Sequence, residues 1–180
     1  MKTFLFLMVE CGGNVPAQMS IARRLAARGH DVHVLADRVL EPEAARAGCP
    51  FHTFVHAPQH NMSDKQADLI RDWEPASPIA QIRRVGDHVM FGPSAAYARD
   101  LLDTIDRVHP DSLAVDGMPF GAIIGAEKSK IPAALLVHFP IHAPVEGMTP
   151  FGLGLSRARG PLGRLRDRVL VAAMRRMFRF

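Results

Sequence analysis

The first thirty-six residues leave this chain little choice of fold. Phe4 to Val9 is an unbroken apolar run that stops at Glu10. A run that short, apolar on both faces, reads as a strand buried in a parallel sheet. A glycine-containing loop, Glu10 to Val15, follows, and Pro16 sits where a helix tolerates proline, at its first position. From Ala17 to Arg28 the spacing is helical. Ile21, Ala22, Leu25 and Ala26 make one apolar face, and Arg23 and Arg24 point away from it. Arg28 suits the negative end of the helix dipole, and Gly29 serves as the C-cap. Asp31 to Ala36 is then a second strand, with Val32, Val34 and Leu35 as its apolar part. A short helix around Glu41 to Ala47 leads to a third strand near Phe51 to Val55. Strand, helix, strand, helix, strand in this order implies a parallel sheet.

Between His56 and Pro93 the pattern weakens. Pro58, Pro75, Pro78 and Pro93 break it, and Trp73 lies inside it. Such long excursions are usually functional or mobile loops. Regular pattern resumes with a helix from Ser94 to Val108. A short strand, Ser112 to Val115, ends at Asp116. Phe120 to Ser129 reads as a helix and Ala133 to His138 as a fifth strand. A loop rich in proline and glycine runs to Gly160, and an amphipathic, arginine-rich helix follows from Leu162 to Phe180. The expected architecture is a Rossmann-like, doubly wound α/β domain over residues 1–160, strand order 3-2-1-4-5, with a basic helix at 161–180. The stripe Val169, Leu170, Ala173, Met174, Met177 has nothing after it to cover, so the chain looks cut and not finished.

Composition narrows the function classes. The 180 residues suffice for one α/β domain with a real core. The net charge of +4 is small and uneven: Arg157 to Arg179 holds many arginines and one acid, Asp167. The body is near neutral, so no nucleic-acid partner is expected. The terminal helix reads either as a packing helix with a solvated arginine face or as a peripheral membrane contact. Two cysteines, Cys11 and Cys49, give no disulfide framework and no zinc pattern, and a reducing compartment is the default. Phe4 to Val9 has no cleavage site behind it, and no run reaches the roughly 20 apolar residues of a membrane span. A cytoplasmic location is expected.

Parallel sheets bind ligands beyond the carboxyl ends of their strands, so the loops after the first, fourth and fifth strands are where chemistry belongs. In the first, Gly12 and Gly13 either let the backbone approach a ligand beside the helix N-terminus or merely make a tight turn. The glycine fingerprints of dinucleotide and P-loop sites are absent. Asp37 mimics the ribose-binding acid of a dehydrogenase, which keeps a nicotinamide-binding enzyme as an alternative. Asp116 either faces the cleft, to orient a base or accept a hydroxyl proton, or caps a helix starting near Met118. His138 ends its strand in the same way. His52, His56 and His60 recur every fourth residue, but on a strand followed by Pro58 they do not make a metal site, and none is expected.

These residues resemble a known family. The segment Gly12-Gly13-Asn14-Val15-Pro16, with Leu25-Ala26-Ala27-Arg28-Gly29-His30-Asp31-Val32, is similar to the opening of family 1 glycosyltransferases of the GT-B fold. Pro110-Asp111 through Asp116, then Phe120-Gly121-Ala122, Ala126-Glu127 and Ile131-Pro132, resembles a second stretch of that family in the right order. The resemblance implies an acceptor-binding N-terminal domain of an inverting, metal-independent transferase. Its sugar comes from a nucleotide diphosphate held mainly by a C-terminal domain, and it goes to a hydroxyl of a small acceptor. High arginine and alanine usage suggests the bacterial natural-product branch, and the phenylalanine, methionine, tryptophan and proline in 56–93 and 139–154 suit an apolar, ring-containing acceptor. No bound cofactor is implied, since the nucleotide sugar is a co-substrate. The family's base, a histidine three residues before the conserved proline, falls at Gly13, where no side chain can take a proton. Asp116 matches its aspartate partner. The expected catalytic residues are therefore Asp116 and His138, with Gly12, Gly13, Asn14, Met118, Phe139 and His142 lining the acceptor side. Family members are roughly twice this long, so the isolated chain is expected not to transfer sugar. The missing base also fits a non-catalytic, glycosyltransferase-like partner of a catalytic subunit.

Overall fold

In the computed structural model, residues 1–138, Thr149 and 155–178 are described. Five strands, β1 (Thr3–Met8), β2 (Asp31–Ala36), β3 (Phe51–Thr53), β4 (Ser112–Asp116) and β5 (Ala133–Leu136), form one parallel sheet in the order β3-β2-β1-β4-β5. This is the order expected from the sequence. The helices are α1 (Asn14–Ala26), α2 (Glu41–Arg46), α3 (Pro78–Val85), α4 (Ser94–Val108), α5 (Phe120–Ser129) and α6 (Gly160–Phe178). A 3-10 turn, Arg38–Leu40, precedes α2, and a π-helical turn, Gly86–Met90, follows α3.

Alternation along β1 builds two cores, because successive side chains of a strand face opposite ways. Leu5, Leu7 and Val9 join Tyr97, Leu101 and Ile105 of α4 and Ala122 and Ala126 of α5 on one face. Phe6 and Met8 join Val15, Met19 and Ala22 of α1, Val34 of β2 and Ala44 of α2 on the other. Burial on both faces explains why these strands are continuous apolar runs. Each fully buried leucine or phenylalanine contributes roughly 1.5–3 kcal/mol. α5 packs closely on α4 because Gly121 and Gly125 present bare backbone. A Cβ at Gly121 would lie 2.0 Å from the Ser94 carbonyl oxygen, and one at Gly125 3.2 Å from Ala98 Cα.

Two local readings need correction. α1 begins at Asn14, so Pro16 lies inside its first turn and not at its first position. Its buried face is Asn14, Val15, Gln18, Met19 and Ala22, whereas Ile21 is exposed. The earlier start lets two amides turn inward, which the apolar spacing alone did not reveal. The third strand ends at Thr53 and not Val55, because Asp100 of α4 takes the next backbone N–H groups. β5 is short and forms a sheet edge, with Ala133, Ala134 and Leu135 exposed.

The chain divides into two units, Met1–His138 and Phe139–Phe180. The second contains α6, where Arg166 donates to the Ser156 carbonyl at 2.9 Å and to Asp167 at 2.8 Å. Among the described residues, no helix is long and apolar enough to cross a membrane.

Candidate functional site

The site is assembled at the carboxyl ends of β1, β4 and β5. β4 delivers Asp116 as its last residue, with no exposed surface. One carboxylate oxygen, Oδ2, accepts from Asn14 Nδ2 at 2.8 Å and from Gln18 Nε2 at 2.6 Å. The other, Oδ1, accepts the Met118 backbone N–H at 2.8 Å and stands 3.8 Å from His138 Nδ1. A buried charge is tolerated only when its lone pairs are met in this way. Asp116 is not the cap of the helix that follows: α5 starts after Pro119, with no side-chain cap. It closes an Asx-type turn onto the N–H two residues on.

Asn14 and Gln18 stand one helical turn apart on α1, so their side chains share a face. Asn14 is held three ways: it donates to the Val9 carbonyl at 2.7 Å as well as to Asp116, and it accepts from Cys11 N–H at 3.2 Å. Gln18 was not anticipated as a site residue. The readable signal was a pair of amides four residues apart on the inward face of an otherwise amphipathic helix. His138 lies two residues past β5, mostly buried, and its Nδ1 is 3.4 Å from Gln18 Nε2.

The loop between β1 and α1 forms the open side. Gly12 has φ +76°, a left-handed conformation that favours glycine, and faces the Met62 sulfur. Gly13 has φ −66° and ψ −12°, and a Cβ there would meet nothing within 4 Å. The missing side chain at Gly13 is therefore not demanded by backbone or packing. Glu10 ties this loop to the excursion, accepting from Gly12 N at 3.0 Å and Met62 N at 2.8 Å.

Asp37 lies behind the same loop. Its two oxygens accept from Glu10 N and His60 N, each at 2.7 Å, and it is fully buried. A carboxylate so engaged has no face left for a ribose. Burial pushes its pKa up to about 7. Cys11 is half-buried, and desolvation, with the charges of Asp116 and Asp37, drives its thiol far above the ordinary range. Such surroundings disfavour the thiolate form.

The three spaced histidines go to three places. His52 stacks on His33 across the strand pair with ring nitrogens 3.0 Å apart, His56 faces Asp103, and His60 is buried near Asp68. Among the described residues, no group of three or more potential ligands gathers for a metal. Gly12, Gly13, Asn14, Met118, Asp116 and His138 meet at one end of the sheet. Phe139 and His142 lie outside the described residues.

The chain is 27% identical over 164 residues to a 4'-demethylrebeccamycin synthase of Lentzea aerocolonigenes, a match covering 88% of this chain and 37% of that protein. Over that span the chain is similar to a natural-product glycosyltransferase, and its sheet order is that of a Rossmann-like α/β domain. Solved structures agree on the fold. The calicheamicin glycosyltransferase CalG4 superposes with a TM-score of 0.55 at 18% identity, over 79% of this chain and 34% of its own. The glycotransferase of kitacinnamycin gives 0.55 at 18%, over 76% and 30%. SnogD from Streptomyces nogalater gives 0.52 at 18%, over 76% and 33%. The chain thus spans about a third of the length of these relatives. No family model matches it.

Proposed function

We propose that this domain binds the acceptor in an inverting sugar transfer from a nucleotide diphosphate to a hydroxyl of a small, apolar natural product. The observation that carries the reading is the buried Asp116 carboxylate beside His138, at the strand ends behind an open glycine loop. Met118, Phe120 and the Phe91 ring stacked obliquely on it, at 4.7 Å between centroids, add apolar surface near the start of α5. Asp116 is too enclosed to touch an acceptor. It acts as the anion that orients and charges its neighbour, and His138 is the group that meets the hydroxyl. The acceptor oxygen loses its proton to the base and forms a bond to the anomeric carbon. The bond from that carbon to the diphosphate breaks, and the diphosphate leaves with the electron pair. The nucleotide sugar is assigned to residues beyond this domain, and the 180-residue chain alone is expected not to turn over.

Trp73, the sole tryptophan, is half-exposed in the excursion and supplies the fluorescence signal for a binding titration. Saturable quenching by apolar polycyclic alcohols, without a response to nucleoside diphosphates, is the expected result. Tight nucleotide binding with no acceptor response would overturn the reading. Gly13 favours a second reading, a non-catalytic partner of a complete transferase. Stable co-purification with such an enzyme, together with activity of the complex that His138→Gln leaves unchanged, would select it.

A further inference from the structure

α6 carries an apolar stripe that sugar transfer does not use. Leu162, Leu165 and Val169 recur at helical spacing and share one face. They are 81%, 57% and 59% exposed, and Ala172 and Ala173 continue that face, also exposed. The sequence allowed a packing helix with a solvated arginine face, but here the apolar stripe itself meets solvent. The charge is one-sided. From Arg157 to Arg179 the only acid is Asp167. It lies across the helix from the stripe, buried, with Oδ1 2.8 Å from both Nε and Nη2 of Arg166. Arg164, Arg168 and Arg176 are exposed on α6, as are Arg157 and Arg159 just before it.

An apolar stripe edged by cations calls for an occupant that takes both. A nucleic acid would take the arginines and leave the leucines in water. A protein face keeps charge away from the centre of the contact, where Arg176 would fall in line with the stripe. An anionic bilayer accepts both parts. The stripe enters the acyl boundary, and arginine stems run along it with their guanidinium groups among the headgroups. We propose that α6 is a docking helix for an anionic lipid surface, lying in the plane of the interface with Leu162, Leu165 and Val169 turned into it. At 1.5 Å per residue, its 19 residues cover about 28 Å of that surface. The helix lies on the membrane and does not cross it. Asp167 would repel such a surface, and its burial against Arg166 on the far side removes it from the contact. The inference does not depend on the sugar-transfer reading.

The test is co-sedimentation of the 180-residue chain with vesicles of phosphatidylcholine and phosphatidylglycerol in equal parts, against vesicles of phosphatidylcholine alone. The wild type is expected to bind the mixed vesicles, to leave them at high salt, and to ignore the neutral ones. Arg164→Gln with Arg168→Gln, and separately Leu165→Gln with Val169→Gln, should each lower the partition coefficient by roughly tenfold or more. All four side chains are exposed, so the folded core is expected to survive these changes. No binding to the mixed vesicles, or equal binding to both kinds, overturns the proposal even if a variant fails to fold. Binding that Leu165→Gln with Val169→Gln leaves unchanged also overturns it, because arginine attraction alone would then suffice. A dimer in solution that the same pair dissolves assigns the stripe to a second copy and overturns it as well.

Discussion

Asp37 ties the loop after β1 to the excursion, and its protonation should make the fold sensitive to pH in an unusual direction. Its carboxyl is buried and bonded to Glu10 N and His60 N, joining the loop after β1 to the excursion. Desolvation raises its pKa from 3.8 to about 7, against the lowering effect of those two N–H groups. Between those values the folded chain keeps a proton that the unfolded chain has released. Stability from this group is therefore complete below 3.8 and is lost as pH rises through about 7. The interval corresponds to about 4 kcal/mol as an order of magnitude. Asp37→Asn removes the ionisation and keeps the shape. Its amide NH₂ must oppose one of the two backbone N–H groups, a pH-independent cost of about 1–3 kcal/mol. Urea unfolding of both proteins from about pH 4 to about pH 8 measures the difference, in which other titrating groups largely cancel. The variant should gain on the wild type by up to about 4 kcal/mol across that window. A difference that is flat, or a wild type that gains with rising pH, refutes the reasoning.

The other expectations concern backbone and packing. Gly12→Ala should lose about 1–2 kcal/mol, because alanine is strained at positive φ. Gly13→Ala should be neutral or gain up to ~1 kcal/mol, since its conformation suits any residue; equal effects at the two glycines in thermal melts would contradict the assigned loop geometry. Gly121→Ala drives a methyl into the Ser94 carbonyl and should cost at least the upper part of the ~1–3 kcal/mol range for overpacking, read by urea midpoint. Asp100→Ala removes the acceptor for Val55, His56 and Ala57 N–H. It should cost about 3–5 kcal/mol, and rapid amide exchange should appear at residues 55–57.

The sheet was readable because parallel strands are apolar on both faces and glycine or proline marks their ends. Phe4 to Val9, Asp31 to Ala36 and Ser112 to Asp116 carry that pattern without ambiguity. The two matched stretches, around Arg28-Gly29-His30 and Pro110-Asp111, pointed to the same class that the rebeccamycin-related match supports. Asp116 was legible as a strand-end carboxylate, but its surroundings were not. Asn14 and Gln18 reach it across about a hundred residues of sequence, and no local spacing encodes that encounter. His33 and His52 likewise meet only through the β2–β3 pairing. Asp37 was read as a mimic of a ribose-binding acid and Asp100 was not singled out, yet both are buried as acceptors for loop N–H groups, because the excursion has few ladders of its own to satisfy them. Gly13 was legible as a departure from the family pattern. That the space beside it is open could be learned only from coordinates.

The central claim is that Asp116 anchors the proton acceptor of a sugar transfer. It is tested most directly in a polypeptide that unites this domain with a donor-binding half, by comparing kcat/KM of the wild type and Asp116→Asn. A loss of about 10²–10⁴-fold with acceptor binding retained is expected. An unchanged kcat/KM would contradict it.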